Sequence, residues 1–171
     1  EYDGVGTLPH LSEMTATALD VLDNDADGLF LMVESGRIDH AGHSNLIYHN
    51  IYETIEFGNA VQVVIDWVAN PDNNSSWNNT LLIVTADHEC GHLQPVGDVN
   101  GDDVIKNQCW GIDCDGWRHH TNSLVPIYAQ GLGAEELKAR FKGDYRDNTD
   151  IFKVMMQALG QTCRTASVNL K

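Results

Sequence analysis

Positive charge is what this sequence has least of: 10 Lys plus Arg stand against 25 Asp plus Glu, a formal net charge of -15 over 171 residues. A surface of that sign repels a phosphodiester backbone, which argues against a nucleic-acid partner, and bound divalent cations would offset part of the excess. Long apolar runs are missing too. None approaches the ~20 residues a membrane span requires, and no signal-peptide pattern is visible. The first residue is Glu1 rather than Met, so the chain reads as a processed product or a piece of a longer one. There is no Gly-rich phosphate loop and no dinucleotide fingerprint, and Ser35 lacks the G-x-S-x-G context of a serine hydrolase. Cysteines are few: Cys90, Cys109, Cys114 and Cys163. The C-x4-C spacing of Cys109 and Cys114, in a Gly- and Asp-rich loop, suits a local disulfide in an oxidising compartment better than the tight C-x2-C pair of structural zinc sites. Cys90 and Cys163 are left open, as a second pair or as two free thiols.

What is present organises around Gly28 to His43, GLFLMVESGRIDHAGH. Leu29 to Val33 is a continuous apolar run bounded by Gly28 and Gly36, the pattern of a strand covered on both faces in a parallel sheet. Glu34, Asp39, His40 and His43 follow within ten residues, and ligands bind at the carboxyl ends of strands in open α/β sheets. Asp39 and His43 are four apart, so if Gly42 and Ser44 open a helix they can share one face and one metal.

The length predicts one domain over residues 1–171, without internal repeats. Leu11, Met14, Ala18, Leu19 and Leu22 recur at helical spacing and predict an amphipathic helix over Leu11 to Leu22. The turn after it, Asp23 to Gly28, together with Glu34, fits the calcium-loop template D-x-[DN]-x-[DN]-G-x5-E at every fixed position. Against a calcium-binding module stand the apolar Leu31 to Val33, the segment after Glu34, which contains Gly36 and lacks the stripe of an exit helix, and the absence of a second hand; the plain alternative is a solvated helix-to-strand turn feeding a buried strand. Ser44 or Asn45 is read as the cap of a long helix whose stripe runs from Ile47 to Val68 and stops before Asn70-Pro71, with His49 and Glu53 on its solvated face. Thr80 to Thr85, TLLIVT, predicts a second buried strand, which delivers Asp87 and His88 at its carboxyl end. Cys90 to Trp117 is long for a loop in a compact domain. Leu124 to Ala129 is a third apolar run, moved toward a sheet edge or strand end by Pro126. Two helices follow, over Gly133 to Phe141 and Thr149 to Leu159, with Thr149 as the cap of the last.

Glu34, Asp39, His40, His43, Asp87, His88, His92, His119 and His120 thus form three clusters of mixed carboxylate and imidazole, the donor set that borderline divalent ions such as zinc select. At these residues, VESGRIDHAGH, TADHECGH and HHTNS resemble the second half of an alkaline phosphatase, in order, over roughly Pro9 to Leu159. The resemblance implies an α/β fold with a mostly parallel sheet flanked by helices, incomplete in this chain. It implies a periplasmic or secreted homodimer that hydrolyses phosphate monoesters with two zinc ions and one magnesium per full-length subunit. Carried over by position, Asp39, His43 and His120 resemble ligands of the first zinc, Asp87 and His88 ligands of the second, and Glu34 the magnesium ligand. His40 follows the first-zinc Asp at a place that touches substrate phosphate. His92 and His119 match no ligand.

No D-S-A motif is present, so the resemblance places the serine nucleophile, a bridging Asp and a phosphate-clamping Arg upstream of residue 1. The chain is then the carboxyl-terminal part of the enzyme, with no catalytic nucleophile of its own. A shortened chain of this kind should expose a sheet edge and self-associate. Phosphodiesterases and sulfatase-like hydrolases, which also use D-x3-H, D-H and a late His, are the alternative. Glu34 five residues before Asp39, and H-T after the late turn, favour the phosphatase.

Overall fold

The structure, a computed structural model, describes residues 8–90, 93–95, 108–110, 119–139 and 147–160. In chain order its elements are α1 (Leu11–Leu22), α2 (Arg37–His43), α3 (Ile47–Ala69), β1 (Leu81–Thr85), β2 (Glu89–Cys90), β3 (Leu93–Pro95), β4 (Gln108–Trp110), β5 (His120–Thr121), β6 (Ile127–Gly131), α4 (Ala134–Ala139) and α5 (Asn148–Ala158). They fall into two compact units, residues 1–67 with 86–125 and residues 68–85 with 126–171.

In the first unit α1 has the bounds its apolar stripe predicts, with Thr15 and Leu19 buried. Its start is tied down twice. The His10 amide donates to Glu13 Oε2 at 2.8 Å, and the Ser12 amide donates to Glu56 Oε1 of α3 at 2.8 Å. A carboxylate at the positive end of the helix satisfies a donor that the helix itself cannot. The turn after α1 is held by its own acids: the Asp27 amide donates to Asp25 Oδ1 at 2.9 Å, and Gly28 sits at φ +89°. Asp23, Asp25, Asp27 and Glu34 do not form a group of converging ligand atoms among the described residues, although a helix does follow them.

Leu29 to Val33 departs from expectation. It joins no ladder among the described residues, and Phe30 and Met32 are 64% and 75% exposed. Leu29, Leu31 and Val33, the alternate set, are half-buried. The run therefore covers one face, not two; an apolar segment becomes a sheet strand only when another strand takes up its amides and carbonyls.

Ser44 and Asn45 close α2 instead of opening α3. Asn45 lies in the left-handed region at φ +58°, its amide donates to Gly42 O at 3.0 Å, and the Leu46 amide donates to Ala41 O at 2.9 Å. This is the Schellman pair of bonds, with Asn in the position that glycine usually fills. The long α3 follows at once, from Ile47 as expected. Glu53 on α3 is not on a solvated face: it is buried at 7% exposure and its Oε1 accepts from Arg37 Nε at 3.0 Å. Two short antiparallel ladders complete the unit. β2 pairs with β5 in the register Glu89↔Thr121 and Cys90↔His120, and β3 pairs with β4 in the register Leu93↔Trp110 to Pro95↔Gln108. Part of the long segment after Cys90 is thus laddered. The expected Cys109–Cys114 disulfide involves Cys114, which lies outside the described residues, as do His92 and Cys163.

In the second unit β1 pairs with β6, antiparallel, from Leu81↔Gly131 to Thr85↔Ile127. The partner strand begins directly after Pro126, which has no amide to contribute. It ends at Gly131, φ +93°, where an added Cβ would lie 2.0 Å from Thr80 O. α4 and α5 bury Leu137 and Val154. The cap of α5 is Asp147, not Thr149: its carboxylate accepts from the Thr149 hydroxyl at 2.6 Å and from the Thr149 amide at 2.8 Å, and these two hydrogen bonds, the hydroxyl's first, hold the carboxyl below its usual range.

The chain thus combines helices and strands as expected, but all three described ladders are antiparallel pairs, and the mostly parallel sheet is not what the described residues form. Apolar runs announce burial; they carry no information on strand direction.

Candidate metal centre

Three ligand-type side chains converge in the first unit. Asp39 and His43 stand one turn apart on α2, so the helix aims both at one point, and His43 Nε2 lies 3.3 Å from Asp39 Oδ2. β5 brings His120 to the same point: its Nε2 is 3.1 Å from Asp39 Oδ1 and 3.0 Å from His43 Nε2. A fourth donor joins them. Cys90, opposite His120 in the β2–β5 ladder, places its sulfur so that all four donor atoms lie within 4.8 Å of one another.

Burial raises the Asp39 carboxyl, but the Cys90 thiol together with His43 and His120 outweighs it and holds the group below its usual range, as an anion. Burial, then the Asp39 hydrogen bond and the charges of Asp39 and Glu89, push the Cys90 thiol up to about 12. An anionic oxygen facing two imidazole nitrogens is a set that fits a zinc-class ion.

Asp87 and His88 form a pair beside this group. His88 Nε2 is 3.3 Å from Asp87 Oδ2, while its Nδ1 faces the Glu89 carbonyl at 3.3 Å. A carbonyl only accepts, so Nδ1 donates to it, and Nε2 is the ring nitrogen left facing the carboxylate. A carboxylate oxygen and a ring nitrogen facing each other in this way can hold a cation between them. The His88 ring stacks on His120, centroids 3.3 Å apart, so the pair and the converging trio adjoin. Behind them Thr121 Oγ1 donates to Glu89 Oε2, a cross-strand clamp between β2 and β5.

The remaining candidates are not gathered into that group. Glu34 is exposed and curls over Gly36, where an added Cβ would meet its Oε1 at 3.3 Å, close to the start of α2. His40 is exposed on α2, and His119 is exposed just before β5. Sequence reasoning missed Cys90 and Glu53. The signal for Cys90 was its place three residues after Asp87 on the same strand-end turn; nothing local marked Glu53, which is buried and paired with Arg37.

Comparison with known proteins gives this donor set its family. The alkaline phosphatase family model matches residues 2–113. The repressible alkaline phosphatase of Saccharomyces cerevisiae is 41% identical over 91 residues, covering 50% of this chain and 15% of that protein. The alkaline phosphatase of Gadus morhua is 38% identical over 162 residues, covering 91% of this chain and 31% of that protein. Among solved structures, the alkaline phosphatase of the Antarctic bacterium TAB5 superposes with a TM-score of 0.70 at 27% identity, over 92% of this chain and 43% of that one. A mutant of the TAB5 enzyme has Mg bound in its M3 site. These 171 residues therefore span less than half the length of the relatives they match. The chain belongs to the alkaline phosphatase family.

Proposed function

We propose that the chain is the carboxyl-terminal, ligand-bearing portion of a metal-dependent phosphate-monoester hydrolase, a single domain over residues 1–171. The observation that carries the reading is the meeting of Asp39 and His43 with His120, which is 81 and 77 residues away from them in sequence. In this reading Asp39, His43 and His120 hold one zinc, Asp87 and His88 supply part of a second zinc site, and Glu34 serves magnesium. When bound, two such ions stabilise charge on both the attacking and the leaving oxygen of an in-line phosphoryl displacement.

The chain's own groups bind and orient. Asp39 and Asp87 bring carboxylate oxygens, and the Glu89 carbonyl orients the ring of His88. His40, exposed beside Asp39, takes an oxygen of the substrate phosphate, directly or through water. The serine nucleophile, the bridging Asp and the phosphate-clamping Arg belong to the part of the family fold that these residues do not span. The exposed Phe30 and Met32 support a homodimer or self-association, and the family resemblance supports a periplasmic or secreted address.

Metal analysis after dialysis tests the reading. Zinc should be retained by the parent and lost in His120→Ala, while hydrolysis of a chromogenic aryl phosphate by the 171-residue chain should stay near background. Zinc content unchanged in His120→Ala would reject the site, and brisk hydrolysis would reject the assignment of the nucleophile to the unspanned part.

A further inference from the structure

Cys90 is the member of the four-residue group to which the ligand assignment above gives no role. Two separate features hold its sulfur in place. The β2–β5 register sets it opposite His120, and its thiol lies 3.8 Å from the Asp39 main-chain carbonyl, to which it donates. It is a free cysteine, half-buried, with its sulfur within 4.8 Å of each of the other three donor atoms. Donors sharing one tetrahedral zinc, with Zn–N of ~2.0 Å and Zn–S of ~2.3 Å, stand about 3.5 Å apart. The 3.0–3.3 Å separations among Asp39, His43 and His120 are already near that spacing, which leaves the sulfur a short approach.

We propose that the Cys90 thiolate is a fourth, displaceable protein ligand of the ion held by Asp39, His43 and His120. The proposal rests on the reading of that trio as a metal centre. In forming the bond the thiol gives its proton to solvent and its sulfur lone pair to the ion; nothing is oxidised or reduced. A thiolate in the set shifts the site's preference toward zinc, cadmium and cobalt and away from magnesium. It also closes the site. Four protein ligands leave a tetrahedral ion no open position, so a phosphate oxygen gains access only as the sulfur withdraws or as the ion takes a fifth ligand.

Cobalt(II) titrated into the metal-free chain reads this directly. The parent should show a sulfur-to-cobalt charge-transfer band in the near ultraviolet alongside tetrahedral d–d bands. Cys90→Ser should lose the charge-transfer band and keep the d–d bands, which also shows that the variant folds and that Cys109, Cys114 and Cys163 are not the source. Zinc affinity should fall by roughly 100-fold in Cys90→Ser, at least the loss expected from removing an outer partner of a metal ligand. Inorganic phosphate should perturb the d–d bands of Cys90→Ser at lower concentration than those of the parent. A charge-transfer band unchanged by Cys90→Ser, or absent from a parent whose d–d bands depend on His120, would overturn the sulfur ligand and leave the trio standing. Cobalt spectra unchanged by His120→Ala would overturn both.

Discussion

Leu29 to Val33 and Leu81 to Thr85 are apolar runs of equal length, each followed within a few residues by acid and imidazole, yet only the second is a strand. β1 has β6 beside it, and all five of its residues are in register with a partner. The first run has the alternating exposure of a strand, with Phe30 and Met32 turned outward, but no laddered neighbour among the described residues. Both are hydrophobic enough to be strands. What separates them is whether a second segment stands ready to take their backbone hydrogen bonds. The site follows the same division, since the first run positions its ligands through the short helix α2, whereas Cys90 and His120 are positioned by a ladder.

Gly28, which precedes the first run, and Gly131, which ends the strand paired with the second, give the sharpest contrast. Gly28 and Gly131 both have positive φ, but an added Cβ at Gly28 meets nothing within 4 Å, whereas at Gly131 it strikes Thr80 O. Gly131→Ala should cost roughly 3 kcal/mol, strain and overlap together, while Gly28→Ala should cost about 1 kcal/mol, as backbone strain alone. Urea unfolding of the two variants measures the difference, and equal costs would break the comparison.

The outward face of the first run should matter less for stability and more for association. Phe30→Ser combined with Met32→Ser should change stability by no more than about 0.5 kcal/mol, yet shift the chain toward monomer in sedimentation velocity. A large loss of stability would mean that these side chains are packed after all.

The smallest effect concerns the helix that leads into the first run. Burial raises the Glu56 carboxyl, but the hydrogen bonds from Ser12 and Asn59 outweigh it and hold the group below its usual range. Its folded pKa is depressed, so the stabilisation is present above the ordinary carboxyl range and is lost as pH falls through the folded value. Glu56→Gln should therefore flatten part of the acid limb of the stability curve, read by thermal melts between neutral and acid pH. An unaltered limb would show that α1 is held by its apolar face alone.

Helices were the legible part of the fold, because their signal is local. Leu11 to Leu22 and the start of α3 at Ile47 could be read from apolar spacing, and Asp39 with His43 from a separation of four. Pairing was not legible. Nothing in TLLIVT says that its neighbour is Ile127 to Gly131 or that the two run antiparallel, since that choice is made by chain segments far apart in sequence. Ends were misread for a related reason. Ser44 and Asn45 suit a helix start by type, but with Asn45 in a left-handed conformation they finish α2, and Asp147 displaced Thr149 by two positions. Of the site, the family resemblance pointed to His120, whereas Cys90 enters only because β2 and β5 pair, and Glu53 is buried where Arg37, sixteen residues away, reaches it.

That last pair has a consequence for the metal centre. A helix of seven residues is too short to persist unaided, yet α2 carries both Asp39 and His43. It is braced from outside: Arg37 is anchored on the buried Glu53, and the Asn50 side chain donates to the Ile38 carbonyl at 2.8 Å. The grip on an ion would then be governed partly by a carboxylate that never approaches it, much as the stiffness of a bracket sets the aim of whatever is bolted to it.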